Sequence, residues 1–133
     1  MEPIRKLRSG EMTDGIINAG NRVLLYATGI GKEEMQKPFI GVINSWNEMH
    51  PGHKHLRELS AAVKEGVIAA GGQPFECNTI AICDGITQAH NGMCYVLPSR
   101  DLITDSVEVM AESQRLDDIV YFVALECLVP HGI

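Results

Sequence analysis

The sequence lacks any hydrophobic run long enough to cross a membrane. Its longest apolar run covers residues 119–125, whereas a membrane-spanning helix needs roughly 20 apolar residues. The first twelve residues contain no apolar stretch of the kind that a secretory signal peptide has at its centre. We therefore expect a cytoplasmic protein without a membrane partner.

Basic residues are also scarce, because 11 Lys and Arg face 17 Asp and Glu, which gives a formal net charge of −6. A nucleic-acid-binding protein needs a basic face, so this balance argues against a nucleic-acid partner. The sequence contains no GxGxxG fingerprint and no P-loop, and their absence weakens the hypothesis of a small doubly wound ligand-binding module.

Cysteines number only four, and no two of them form a CxxC pair. A zinc knuckle or a dithiol redox motif is therefore not indicated, and in a reducing compartment we expect free thiols. Cys77 and Cys94 are best interpreted as small core or loop residues. Cys83 and Cys127 lie at the carboxyl ends of predicted strands, where a soft metal is an alternative to simple burial.

The chain has 133 residues, of which 45% are hydrophobic, a size and composition that suit one domain. Continuous apolar stretches alternate with segments of helical periodicity, a pattern typical of a parallel sheet covered by helices. We predict an α/β fold with three layers, α/β/α, built on a β-α-β-α-β core that is preceded by a helix. The predicted helices are 13–27, 54–70 and one beginning at Ser99, the predicted strands are 38–43, 75–83 and 119–125, and residues 1–12 and 126–133 form a loose lead-in and a diverged tail.

Polar residues follow each predicted strand, and the carboxyl ends of parallel strands meet at one edge of a sheet, where open α/β proteins bind ligands. These residues are Asn44 and Ser45, then Cys83 and Asp84, and finally Glu126. Carboxylate oxygens suit a hard cation such as Mg²⁺, so Asp84, and less strongly Glu126, are candidate metal ligands. The alternative for Asp84 is an ordinary helix cap or turn residue.

The histidines allow two interpretations. His50, His53 and His55 form a cluster, but a zinc site would need further ligands at suitable spacing, so loop and first-turn positions are the simpler expectation. His90, in the loop after Asp84, is either a general acid or base or a residue that anchors the loop.

Many ordered segments of this chain are similar to the amino-terminal part of the dihydroxy-acid dehydratase and phosphogluconate dehydratase family. The similarity extends to about Val120. The matching segments include residues 27–29, 37–42, 44–48, 51–53, 55–57, 69–72, 78–81, 83–86, 92–93, 97–100 and 105–106.

The resemblance implies an enzyme class and its cofactors. Members of the family remove water from 2,3-dihydroxy carboxylates to give 2-keto acids, in branched-chain amino-acid or sugar-acid metabolism. They use Mg²⁺ together with an iron–sulfur cluster, and the resemblance implies that Asp84 matches the first Mg²⁺ aspartate. It also implies a three-layer amino-terminal domain, a dimer and a small dihydroxy acid as the substrate.

The end of the chain departs from the family pattern. The family has Cys-Asp-Lys after its third strand, whereas an ungapped alignment places Leu125, Glu126 and Cys127 there. A two-residue slip would instead put Cys127 on the cluster cysteine and leave the metal ligands unmatched. We therefore expect a dehydratase-family fragment that is incomplete relative to the family domain and is not active alone. The alternative is a non-catalytic half-domain that pairs with itself or with a full-length dehydratase, which would cover strand 119–125.

Overall fold

The computed structural model describes residues 6–122. The helices are α1 (Gly10–Thr13), α2 (Ala19–Ala27), α3 (Leu56–Ala69), α4 (Asp84–Thr87) and α5 (Pro98–Ser113), and the strands are β1 (Phe39–Asn44), β2 (Gln73–Asn78) and β3 (Asp118–Tyr121). Short 3-10 turns occupy Ile16–Asn18, Glu34–Gln36 and Asn91–Tyr95.

The three strands form one parallel sheet in the order β2-β1-β3. Strand β1 is central, with Asn44 aligned to Asn78 of β2 and Ile43 aligned to Tyr121 of β3. Each crossover contains a long helix, α3 between β1 and β2, and α5 between β2 and β3. The predicted β-α-β-α-β core is therefore confirmed, and the carboxyl ends of all three strands lie at one edge.

One face of the sheet packs against α1, α2 and α5. Phe39 at the start of β1 is 1% exposed, and its ring centroid lies 4.8 Å from that of Phe75 in β2. Side chains from the three helices pack around this aromatic pair, namely Met12, Leu25, Met110 and Ala111. The apolar residues at these positions explain why the helices dock on this side.

The other face packs against α3, which buries Leu56 and Ser60. A Cβ atom placed on Gly72, just before β2, would lie 2.9 Å from Val67 of α3 and 3.1 Å from Ile40 of β1, so helix and strand meet closely there. Helices thus cover both faces, and the predicted three-layer α/β/α arrangement is confirmed.

The predicted helix over 13–27 is interrupted. Gly15 adopts a φ of +75°, which breaks the helix. The Asn18 side-chain amide donates to the Asp14 and Glu11 carbonyl oxygens at 2.6 Å and 2.9 Å, which satisfies carbonyl groups that the break leaves without helical partners. Side-chain hydrogen bonds of this kind compete with a continuous helix.

The predicted strand 75–83 is too long at its carboxyl end. β2 ends at Asn78, whose side-chain amide donates to the carbonyl oxygens of Thr79 and of Trp46, at 2.8 Å and 3.3 Å. Residues 79–83 therefore form an irregular connection, and Asp84 begins α4 instead of ending the strand itself. The apolar residues in this connection explain why the sequence pattern predicts a longer strand.

The structure also differs from the sequence-based expectations for the lead-in and for the start of α5, and it describes the last predicted strand only in part. The lead-in is not loose throughout, because Ser9 is 1% exposed and α1 begins at Gly10. Leu97, not Ser99, occupies the cap position of α5. β3 ends at Tyr121, and residues 123–133, including Glu126 and Cys127, lie outside the described residues. In the range 6–122, no helix is long and apolar enough to span a bilayer.

Candidate functional site

The segments that follow β1 and β2 are joined by hydrogen bonds at the carboxyl edge of the sheet. The Thr79 backbone N–H donates to the Asn44 carbonyl oxygen at 2.7 Å, which extends the parallel ladder past the end of β2. The Asn47 side-chain amide donates to the Ala81 carbonyl oxygen at 3.1 Å. The polar loop after β1 therefore fixes the path of the connection that leads to Asp84.

Asp84 is the first residue of the short helix α4 and is half-buried. Its Oδ1 atom accepts a hydrogen bond from the Gly85 backbone N–H at 2.7 Å. Its Oδ2 atom accepts none from the described residues. The Thr87 hydroxyl donates to the Cys83 and Asp84 carbonyl oxygens and closes the turn behind the carboxylate. Asp84 thus combines a turn role with one carboxylate oxygen that no residue of the range 6–122 occupies.

The residues around Asp84 form only part of a Mg²⁺ site. A free carboxylate oxygen is the ligand type that Mg²⁺ prefers. However, no group of three or more His, Cys, Asp or Glu side chains comes together within residues 6–122. Cys83 is half-buried beside Asp84, and in that range it belongs to no such group of three ligands. The described residues therefore fit one Mg²⁺ ligand and do not by themselves fit an iron–sulfur cluster.

The histidine cluster is more deeply buried than a loop position suggests. His50 and His53 are 3% and 0% exposed, and their rings stack with centroids 3.8 Å apart. His53 Nδ1 lies 2.7 Å from the Ser45 carbonyl oxygen, which can only accept, so this nitrogen carries the hydrogen. The expected loop and first-turn positions are correct, and the stacked pair connects the Pro51-Gly52 turn to the loop after β1.

His90 anchors its own loop. Its Nδ1 accepts a hydrogen bond from the Gly92 backbone N–H at 3.0 Å, and its Nε2 lies 3.1 Å from the Ile86 carbonyl oxygen. The carbonyl oxygen requires a hydrogen on Nε2, so both ring nitrogens of a neutral imidazole are occupied. Of the two interpretations of His90, the loop anchor is the one that this geometry supports.

Glu76 lies on the α3 side of β2 and was not anticipated. It accepts hydrogen bonds from Asn44 Nδ2 at 3.0 Å and from Lys64 Nζ at 2.7 Å. Partial burial alone would raise the pKa of Glu76, but these hydrogen bonds and the nearby Lys64 charge outweigh it and lower the pKa to about 2. Glu76 is therefore ionised at neutral pH, and its charge is already paired.

A cleft on the same side contains a guanidinium group that has no acidic partner among the residues that the structure describes. Arg57, in the first turn of α3, lies with its Cζ atom 3.8 Å from the ring centroid of Trp46. The Trp46 indole N–H donates to the Lys54 carbonyl oxygen at 3.1 Å, which fixes the ring. The cleft encloses about 390 Å³ and is lined by Asn44, Trp46, Arg57, Glu76 and Asn78. Sequence reasoning missed it because contacts between a loop and a later helix leave no periodic signal.

The fold and this edge define a class: a small α/β domain with a parallel sheet and polar residues gathered at the carboxyl ends of its strands. Residues 37–130 match the family described as dihydroxy-acid/6-phosphogluconate dehydratase, N-terminal. Proteins named dihydroxy-acid dehydratase are similar over nearly the whole chain. The one from Archaeoglobus fulgidus is 49% identical over 124 residues, 93% of this chain and 23% of its own length. The one from Methanococcus maripaludis strain C7 is 52% identical over 122 residues, 92% of this chain and 22% of its own length.

The chain belongs to the dihydroxy-acid/6-phosphogluconate dehydratase family. It spans less than a quarter of the length of the curated relatives that it matches. The family resemblance read from the sequence is confirmed.

Proposed function

We propose that this chain supplies the amino-terminal part of a dehydratase site, in which Asp84 is a Mg²⁺ ligand. The reaction would be the removal of water from a 2,3-dihydroxy carboxylate to give a 2-keto acid. The observation that carries the proposal is the family match combined with the position of Asp84 beside the carboxyl edge of a parallel sheet. A cytoplasmic location and a role in branched-chain amino-acid or sugar-acid metabolism belong to the same proposal.

Three neighbouring residues of this chain would form its part of the Mg²⁺ site. Asp84 would hold the cation through its Oδ2 atom, while Gly85 and Thr87 keep the carboxylate in place. A bound divalent cation or an iron–sulfur cluster supplies Lewis-acid stabilisation of charge on a departing hydroxyl. Residues 6–122 contain no group of three or more His, Cys, Asp or Glu side chains that could hold a metal ion. The proposal therefore includes ligands from outside this range and no turnover by this chain alone.

The test is a calorimetric titration of the purified chain with MgCl₂, followed by amide chemical shifts. We expect weak saturable binding, with the largest shifts at Asp84 and Gly85, and at least a tenfold weaker affinity in Asp84→Asn, which removes the anionic oxygen. Asp105→Asn, which changes an exposed aspartate of α5, is the matched control and should bind as the wild type does. Equal affinities in all three proteins would contradict the assignment of Asp84. Formation of 2-keto acid by this chain alone would contradict the need for outside ligands.

A second candidate function is that of a non-catalytic half-domain that associates with another copy of itself or with a full-length dehydratase. The observation that favours it is the set of largely exposed apolar side chains within α2 and in the turn before it. Ile16 and Ile17 are both 91% exposed, and Leu24 is 69% exposed. Exposed apolar surface of this kind is typical of an interface. The oligomeric state of the chain tests this function.

A further inference from the structure

The cleft beside Arg57 contains a guanidinium group that no carboxylate of residues 6–122 neutralises, together with several hydrogen-bond acceptors. Within residues 6–122, Arg57 forms no ion pair with a carboxylate, and its guanidinium group lies over the Trp46 ring. A guanidinium group over an indole ring keeps its N–H edge available, and this edge matches a carboxylate in a bidentate arrangement. The cleft therefore offers a site for one anionic group.

The acidic residue of the cleft does not neutralise Arg57. Glu76 receives hydrogen bonds from Lys64 and Asn44, so its charge is paired on its own side. Because Lys64 compensates Glu76, the cleft keeps about one positive charge. A singly charged carboxylate suits this balance better than a doubly charged phosphate, which would face the Glu76 oxygens as well.

The remaining polar atoms favour a ligand that also donates hydrogen bonds. The Asn78 side-chain amide donates hydrogen bonds to the Trp46 and Thr79 carbonyl oxygens. These bonds determine which side-chain atom is the nitrogen and which is the oxygen. Its Oδ1 atom then accepts no hydrogen bond from the described residues, and the Glu76 carboxylate has further lone pairs. Hydroxyl groups next to a carboxylate would donate to these atoms. A cleft of about 390 Å³ is large enough for a small organic acid.

We propose that the Arg57–Trp46 cleft binds a small hydroxy carboxylate, with its carboxylate on the Arg57 guanidinium and its hydroxyl groups on Asn78 and Glu76. The geometry of the cleft carries this binding by itself. The further claim that this ligand is a dehydratase substrate rests on the proposed function.

Trp46 is the single tryptophan of the chain, so its fluorescence reports directly on this cleft. The experiment titrates the 133-residue chain with sodium D-gluconate at constant ionic strength. Sodium acetate, sorbitol and inorganic phosphate are titrated in parallel. Gluconate carries both features that the cleft would recognise, acetate only the carboxylate, and sorbitol only the hydroxyl groups.

We expect a saturable change in Trp46 fluorescence with gluconate, and an affinity at least tenfold weaker for acetate, sorbitol and phosphate. Arg57→Gln should weaken gluconate binding at least tenfold. Arg57→Lys should weaken it less, because the charge remains while the bidentate geometry is lost. Arg100→Gln changes an exposed arginine of α5 outside the cleft and should bind gluconate normally.

Several results would overturn the proposal. Equal affinities for gluconate and acetate would remove the role of the hydroxyl groups, and phosphate binding as tight as gluconate would show a general anion site. Unchanged binding in both Arg57 variants, with native circular dichroism, would place the ligand elsewhere. If Arg57→Gln fails to fold, Arg57→Lys carries the test. The two proposals can fail separately. Gluconate binding that depends on Arg57, together with Mg²⁺ binding that Asp84→Asn does not weaken, would support this site and contradict the proposed function.

Discussion

At the scale of single residues, the carboxylate of Asp117 connects three separate segments of the chain. Its Oδ1 atom accepts hydrogen bonds from the Arg8 and Ser9 backbone N–H groups at 2.5 Å and 3.2 Å. Its Oδ2 atom accepts one from the Phe39 N–H at 2.8 Å. Asp117 thus holds the lead-in and the start of β1 next to the start of β3, at the opposite end of the sheet from the candidate site.

These hydrogen bonds also determine how stability depends on pH. Partial burial alone would raise the pKa of Asp117, but the hydrogen bonds from Ser9, Phe39 and Arg8 outweigh it and lower the pKa. A carboxyl group whose folded pKa is lowered stabilises the fold above its unfolded pKa, about 3.9. That stabilisation is lost as the pH falls from there through the folded pKa.

We expect Asp117→Asn to lower the free energy of unfolding by about 2 kcal/mol at pH 7, because one charged acceptor of several N–H groups becomes a neutral amide. The difference from the wild type should shrink as the pH falls below about 4. Urea unfolding at pH 7 and at pH 3 measures both quantities.

Asp118→Asn is the control for this prediction, since Asp118 is exposed and its Oδ1 accepts only from the N–H of the next residue, Ile119. Its unfolding free energy should stay within about 0.5 kcal/mol of the wild-type value. A loss at Asp117 that is the same at both pH values would show that the carboxylate charge is not its source.

At the scale of elements, α3 contains one glycine that weakens it and is followed by another that ends it. Gly66 lies on the exposed side of the helix, and a Cβ atom there would have no heavy atom within 4 Å. Gly71, two residues after the helix, has a φ of +87°, and its N–H donates to the Ile68 carbonyl oxygen at 2.9 Å. A left-handed glycine in this place is a common way to end a helix.

Alanine at these two glycines should therefore have opposite effects. Gly66→Ala should raise the free energy of unfolding by about 1 kcal/mol, because alanine has the higher helix propensity. Gly71→Ala should lower it by about 1 kcal/mol or more, because a side chain is disfavoured at positive φ. Thermal and urea unfolding of the two variants measure the effects. Two changes of the same sign would contradict this description of how α3 ends.

The elements also show what the sequence could predict. Helix α3 was predicted within two residues at each end, because its apolar spacing and the Gly71-Gly72 stop agree. The first helix and the second strand were predicted too long, since the side-chain hydrogen bonds of Asn18 and Asn78 that interrupt them depend on neighbours in space. Periodicity detects packing faces but not these local competitors.

The candidate site was predictable in part for a similar reason. The sequence singles out Asp84 because a carboxylate followed by glycine near a strand end is a local signal, and its role as a metal ligand stays a prediction. The Arg57–Trp46 stack and the buried His53 depend on how the loop after β1 folds against α3, and no spacing in the sequence encodes that contact. The roles of Glu126 and Cys127 stay predictions.

At the scale of the whole molecule, the segment formed by α2 and the turn before it exposes several large apolar side chains. Ile16, Ile17, Val23 and Leu24 are between 64% and 91% exposed, while Leu25 of the same helix packs against the core. Helix α2 is therefore apolar on its inner and on its outer side. A helix with two apolar sides is expected to have a second packing partner.

We expect the chain to self-associate through this segment, so that its apparent mass in size-exclusion chromatography with light scattering rises with concentration. The double variant Ile17→Ser with Leu24→Ser should weaken association at least tenfold, because burying each of these side chains contributes about 1.5 kcal/mol or more. Val109→Ser, which changes an apolar residue of α5 that is 67% exposed, close to the value for Leu24, should associate as the wild type does. A wild-type chain that stays monomeric across the concentration range would refute self-association. A dimer that the double variant does not weaken would instead place the contact on another surface.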